Sequence, residues 1–192
     1  MNDPGVPRGC RSKDLQVWAL DEDRYRFTSY LLDESFGGHY EGDGDSAVIH
    51  HFTAEGVVTG DDLVLSERTI RAVVHQFGEC PLVTIKAQAL IGNPIADGWR
   101  KKVLGHLGGV QGCTHQVNLL LSLSDMVILI HHQRLNVHSI FGRNSLDSGN
   151  WLASSWGDAE KFVGFCHALS GESPTLHKAA EARKLQGDQK PD

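Results

Sequence analysis

Leu15-Gln16-Val17-Trp18-Ala19-Leu20-Asp21-Glu22-Asp23-Arg24-Tyr25-Arg26-Phe27-Thr28-Ser29-Tyr30-Leu31-Leu32 is the stretch on which the fold turns. Its two runs, Leu15–Leu20 and Arg26–Leu32, alternate with the period of two that sends successive side chains to opposite faces of a strand. The acidic triplet Asp21-Glu22-Asp23 between them is short and polar enough to reverse the chain, so the segment reads as an antiparallel hairpin. Two more runs rich in Val, Ile and Thr, Ala47–Val58 and Leu63–His75, flank Thr59-Gly60-Asp61-Asp62, where Gly and Asp favour a tight turn. An antiparallel sheet of about four strands follows. Between the two hairpins, Glu34–Asp45 is rich in Gly among Asp, His and Tyr, a composition suited to a surface loop that covers a site.

Past Cys80-Pro81 the hydrophobic pattern becomes helical. Leu82–Ile91 and Gly98–Leu107 read as short helices, and Gly108, Gly109 and Gly112 then break the chain. From Cys113 to about Gln133 the sequence reads as one long helix, apolar around most of its circumference and therefore buried at the centre of the molecule against the sheet. The expected fold class is α+β, an antiparallel sheet packed against a C-terminal helical half. Asn144–Gly157 reads as an irregular loop carrying Trp151 and Trp156, Asp158–Leu169 as a helix capped by Asp158, and Pro174–Leu185 as a terminal helix. The expected organisation is a flexible N-terminus over residues 1–13, an α+β core over 14–135, a C-terminal loop and helices packed on that core over 136–185, and a tail over 186–192.

Composition excludes several classes of function. A chain of 192 residues with 40% apolar content is long enough to bury one sizeable core. With 18 Lys and Arg against 24 Asp and Glu, the formal charge of -6 leaves no basic stripe for nucleic acid. Met1–Arg11 contains no apolar core of a secretory signal, so a cytoplasmic location is expected. The longest apolar stretch, Val117–Ile130, is interrupted by Asn118, Ser122, Ser124 and Asp125 and is too short to cross a bilayer. The cysteines Cys10, Cys80, Cys113 and Cys166 form no Cys-x-x-Cys pair and are expected to be thiols. Nucleotide-binding glycine motifs, the nucleophile-elbow motif and the His-Glu-x-x-His motif do not occur, so no nucleotide or metal cofactor is expected.

The chemistry concentrates in Gly108-Gly109-Val110-Gln111-Gly112-Cys113-Thr114-His115. A sharp glycine turn into a helix leaves the first amides of that helix without partners, and with the helix dipole they favour a thiolate at Cys113 or an anionic group beside it. The same dipole lowers the pKa of His115 and favours the neutral imidazole, a base at neutral pH. Asn118 and Ser122 fall within about 60° of His115 around the helix and extend a polar stripe. The competing reading makes Gly112-Cys113-Thr114-His115 a plain helix cap with Cys113 as core filling. Adjacent strand residues His50 and His51 point to opposite faces, so only one of them can join His115. His39, Cys80 and Trp99 complete the candidate binding residues, and Cys80, Cys113, His115 and one further His form an alternative zinc-ligand set.

Leu63-Val64-Leu65, the Cys80-Pro81 step, the Gly98-Trp99 helix start and above all Leu107–His115 resemble the bacterial family known as DUF2889, a domain of unknown function. The resemblance runs from about Asp14 to Ile130. Where members of that family show His-Asp-Met, this chain has His51-Phe52-Thr53, and where they place Leu after the Thr-His pair it has Gln116. The resemblance supports the site at Cys113 and His115 and carries no reaction with it. The expectation drawn from the residues is a cofactor-independent enzyme of small-molecule catabolism. The reaction expected is a lyase reaction, a retro-aldol, formaldehyde-releasing or decarboxylative cleavage of a hydroxylated aromatic substrate, with His115, Cys113 and His51 as catalytic groups. The contrasting expectations are a non-catalytic ligand-binding or assembly module and a zinc-dependent hydrolase. The expected partners are the substrate and, in a homo-oligomer, further copies of the chain.

Overall fold

The computed structural model describes residues 7–37, 44–96, 98–138, 163–164 and 166–187. The molecule is α+β. Its four strands β1 (Gly9–Ala19), β2 (Arg24–Phe36), β3 (Ser46–Thr59) and β4 (Val64–Val74) form one antiparallel sheet in the order β1-β2-β3-β4, each strand beside its neighbour in sequence. The first turn is held by Asp21, whose Oδ1 accepts the backbone N–H groups of Asp23 and Arg24 at 3.1 and 2.9 Å. Alternation along β2 buries Tyr25, Phe27, Ser29, Leu31 and Asp33 on one face, and β3 buries Phe52, Ala54 and Val58 on the same side.

The sheet begins earlier than the sequence suggests. Residues 1–13 read as a flexible N-terminus, yet Gly9–Lys13 already belongs to β1. No apolar side chain is buried there; the strand end is held by backbone pairing and by Arg11, which faces Asp33 directly across the ladder. A polar segment kept in a sheet by a cross-strand ion pair has no hydrophobic periodicity to reveal it.

Helical segments cover the buried face. A 3-10 helix over Pro81–Leu90 takes the place of the α-helix expected at Leu82–Ile91; it starts at Pro81, with Thr84 Oγ1 donating to the Pro81 carbonyl at 2.8 Å. Then come α1 (Trp99–Leu107), α2 (Thr114–Ser122) and α3 (Met126–His138). The single long helix expected from Cys113 to Gln133 is therefore two α-helices joined by a 3-10 turn over Leu123–Asp125. Ser122 and Ser124 donate their hydroxyls to the Leu119 and Leu121 carbonyls at 2.7 and 2.9 Å, the local bonding that bends helices. Helix α2 packs on β2, β3 and α1.

Trp99, Leu107, Leu119 and Leu120 are fully buried with Phe27, Leu31, Phe52, Leu65, Leu90 and Ile95. Each such side chain contributes about 1.5–3 kcal/mol by leaving water. Trp99 also ties two helices together, because its Nε1 donates to the Leu120 carbonyl at 2.7 Å. Trp99→Phe keeps a ring in the core and removes this bond while the carbonyl keeps the Leu123 N–H, so a loss of about 0.5–1.5 kcal/mol is expected in chemical denaturation; an unchanged midpoint would show the bond to be dispensable.

The chain divides into two compact units, Met1–Val127 and Ile128–Asp192. Within the second, α4 (Pro174–Gly187) lies where a terminal helix was expected, and Ser173 Oγ caps it by accepting the Leu176 N–H at 3.1 Å. Of the helix expected at Asp158–Leu169, the described part contains a 3-10 turn at His167–Leu169, and the loop with Trp151 and Trp156 lies outside the described residues. Among the described residues no helix is long and apolar enough to cross a membrane.

Candidate active site

One row of the sheet supplies half of the site. Arg11 on β1 pairs with Asp33 on β2, and Asp33 pairs with His50 on β3, so three charged or titratable side chains stand side by side on the face that the helices cover. The register shifts at Asp33/Glu34, and a second shift at His51/Phe52 follows in the pairing with β4. Irregularities of this kind turn strand side chains at the ends of sheets, and here they bracket the two histidines.

Asp33 is the hub. Arg11 donates to it through two nitrogens, Nε to Oδ1 at 2.5 Å and Nη2 to Oδ2 at 2.7 Å, while His50 Nδ1 donates to Oδ2 at 3.2 Å. From the helical side, His115 Nε2 approaches the same Oδ2 at 3.3 Å. The imidazoles of His50 and His115 stack at 3.7 Å between centroids with 26° between planes, and Phe52 lies nearly parallel to His115 at 5.7 Å. The Arg11 hydrogen bonds hold the Asp33 carboxyl below its ordinary pKa against the opposing effect of burial, with Arg11, His115 and His50 adding to that depression.

The other half of the site is the glycine turn. Gly109 takes a positive φ of 57°, and Gly112 is extended with its Cα so close to the Leu107 carbonyl that a Cβ there would collide with it. Cys113 then caps α2 with φ -92° and ψ 134°, still in the extended region. In a regular helix, residues two apart do not face each other; the extended cap turns the Cys113 side chain back so that Sγ lies 3.6 Å from His115 Nδ1. The helix makes its first backbone bond from the Val117 N–H to the Cys113 carbonyl at 2.9 Å, which leaves the Thr114, His115 and Gln116 amides without partners inside the helix. Gln116 is buried and donates to the Thr84 carbonyl at 3.5 Å, linking α2 to the 3-10 helix.

These contacts set the proton positions. A carboxylate only accepts, so the proton of neutral His115 is favoured on Nε2, and Nδ1 keeps its lone pair toward the Cys113 thiol. Burial and the neighbouring His50 lower the His115 pKa more than Asp33 raises it, which keeps the ring neutral and basic near pH 7. The result is a thiol, an imidazole and a carboxylate in line, with the carboxylate anchored by a guanidinium. This line borders a cavity of about 330 Å³ lined by His50, Phe77, Glu79, Cys80, Val83 and residues Gly112–His115. Cys80, the residue before the 3-10 helix, lines the cavity with Cys113, and its pKa is raised first by burial and then by Cys113.

Of the sequence-derived candidates, the structure brings Cys113, His115, His50 and Cys80 to one cavity. His51 is not with them. It lies on the opposite face of the sheet, edge-on to Tyr30 with centroids 6.2 Å apart, because the strand pleat sends it away from its neighbour His50. Of the two strand histidines, His50 and not His51 stands beside His115. Asn118 and Ser122 do not line the cavity; Ser122 bonds within its own helix, and Trp99 is core. His39 lies outside the described residues.

Asp33 and Arg11 were absent from the sequence-derived set. One signal for Asp33 was available: it is an acidic residue at the inward position of a strand whose other inward positions are Tyr25, Phe27, Ser29 and Leu31, and charge on a buried face calls for a partner. As for metal, Asp33, His50 and His115 offer donor atoms all within 4.8 Å of one another, a different set from the cysteine-containing one read from the sequence. Both Asp33 oxygens already accept from Arg11, so a divalent cation on that carboxylate would sit against a guanidinium, which disfavours a cation at this set.

The model of the family described as "Protein of unknown function (DUF2889)" matches residues 10–129, which contain all the residues of this site, and the chain belongs to that family. No curated protein and no solved structure matches the chain.

Proposed function

We propose that this DUF2889 protein is a cofactor-independent lyase that cleaves a carbon–carbon bond in a hydroxylated aromatic small molecule. The observation that carries the reading is the neutral His115, backed by Asp33 on one nitrogen and open through the other toward Cys113 and the cavity. A retro-aldol cleavage needs one positioned base and one anion stabiliser. His115 Nδ1 takes the proton of the substrate hydroxyl, the carbon–carbon bond breaks as the carbonyl forms, and the electron pair passes to the aromatic fragment. The first amides of α2 sit where they stabilise the developing anion, and the imidazolium returns its proton to that fragment. His50, also held by Asp33, borders the same space and serves as a second hydrogen-bonding group.

Phe77 and Val83 with the faces of two imidazoles favour a flat, aromatic substrate. Arg11 on the Asp33 carboxylate supports chemistry without a metal ion. We place the activity in the bacterial cytoplasm, with a small-molecule substrate as principal partner and a homo-oligomer as the working form.

The test is a turnover screen by NMR of hydroxylated aromatic compounds bearing a β-hydroxy or hydroxymethyl group, run in the presence of a chelator with His115→Ala as the control. Aldehyde release by the native protein and not by the variant is expected. Turnover that disappears on chelation and returns with zinc would replace this reading with the hydrolase one.

A further inference from the structure

We propose that Cys113 and Cys80 form a hydroperoxide-reactive thiol pair, in which Cys113 is oxidised first and Cys80 then closes a disulfide with it at the wall of the cavity. Nothing in the lyase chemistry uses Cys80, yet the fold brings it to Cys113 from more than thirty residues away in sequence, with both thiols free and lining the same cavity. Each stands immediately before a helical segment that starts at the cavity, Cys80 before Pro81–Leu90 and Cys113 before α2.

Their surroundings assign different roles. Cys113 stands at the start of α2 with an imidazole nitrogen at 3.6 Å, placed to take its proton as it reacts. Cys80 is buried and held in its protonated form by burial and by Cys113, so it is the poorer first nucleophile.

In the first step His115 Nδ1 takes the Cys113 proton and the thiolate attacks the terminal oxygen of a hydroperoxide. The O–O bond breaks, Cys113 becomes a sulfenic acid, and the leaving alkoxide or hydroxide takes the proton from His115. In the second step Cys80 attacks the Cys113 sulfur, the S–O bond breaks, and hydroxide leaves with the Cys80 proton as water. Sulfur loses two electrons and the peroxide oxygen gains them. The disulfide removes the thiol beside His115 until a dithiol reduces it.

The test uses the full-length chain with the exposed Cys10 and Cys166 replaced by Ser, treated with one equivalent of hydrogen peroxide and mapped by mass spectrometry, a readout that needs no substrate and stands whether or not the lyase reading holds. The expected product is a chain lighter by two hydrogen atoms, with a Cys80–Cys113 linked peptide that dithiothreitol releases. In Cys80→Ser the reaction is expected to stop at a Cys113 sulfenic acid, trapped by a 1,3-diketone. A native Cys80 chain whose Cys113 stays a thiol or runs on to sulfinic acid with no linked peptide overturns the proposal, and that outcome is readable even where Cys80→Ser does not fold.

Discussion

Replacing His115 by Ala is expected to lower kcat by about 10²- to 10⁴-fold, the range set by removing a positioned general base. The fold should survive, because Asp33 keeps both of its Arg11 bonds and its His50 bond when the second imidazole is gone. The pH profile of the native protein distinguishes a base from a packing residue. Burial and His50 hold the His115 pKa below its ordinary 6.5, and only the neutral ring can take a proton. Activity is therefore expected to be flat from neutral pH down past 6.5 and to fall on the acid side below it. Steady-state kinetics across that range check this; an acid limb centred above 6.5, or full activity in the alanine variant, would remove His115 from the mechanism.

The second large effect is expected at Asp33. Asp33→Asn replaces an acceptor of Arg11 and His50 hydrogen bonds by an amide that must turn one donor toward other donors. It also takes away the charge that favours the His115 proton on Nε2, so the lone pair is no longer kept toward Cys113. Two readouts follow. Turnover should fall by about 10²-fold or more through loss of the correct tautomer, and stability near pH 7 should fall by about 2 kcal/mol, since Arg11 is partly exposed and the full cost of breaking a buried pair does not apply.

The sign of the pH dependence follows from the depressed Asp33 pKa. The native carboxylate contributes its stability in full above the unfolded value near 3.8 and loses it as pH falls through the lower folded value. Urea denaturation at pH 7 and again well below pH 3.8 should show the gap between native and variant proteins narrowing in acid. A gap that stays constant across that range would mean that the carboxylate charge is not what holds the row together.

How the site could be read in advance differs from one side chain to the next. Cys113 and His115 were visible because their chemistry is local: three glycines, a cap and a base lie within eight residues, and a turn followed by a helix start is written in consecutive positions. The pairing of His115 with a strand histidine was also legible, but which of His50 and His51 it would be depended on the phase of a pleat. A period-two pattern states that neighbours diverge and is silent on which one turns inward. Arg11 and Asp33 were harder, since they are twenty-two residues apart and meet only through the register of β1 against β2.

The sheet itself was legible in its strands, turns and order, since alternation and turn chemistry act between near neighbours and antiparallel hairpins connect consecutive strands. The helix boundaries were less so. The apolar run after Cys113 has no sequence break at Leu123, and the division into α2 and α3 comes with serine hydroxyls bonding back to carbonyls of the preceding turn. The amino-acid sequence alone thus determined an antiparallel α+β fold and, at Gly108–His115, a glycine turn into a helix that carries a thiol and an imidazole. Only the tertiary structure decided that Arg11, Asp33 and His50 stand in one row under that turn and that Cys80 joins Cys113, because strand register and helix packing join residues whose spacing along the chain encodes no contact.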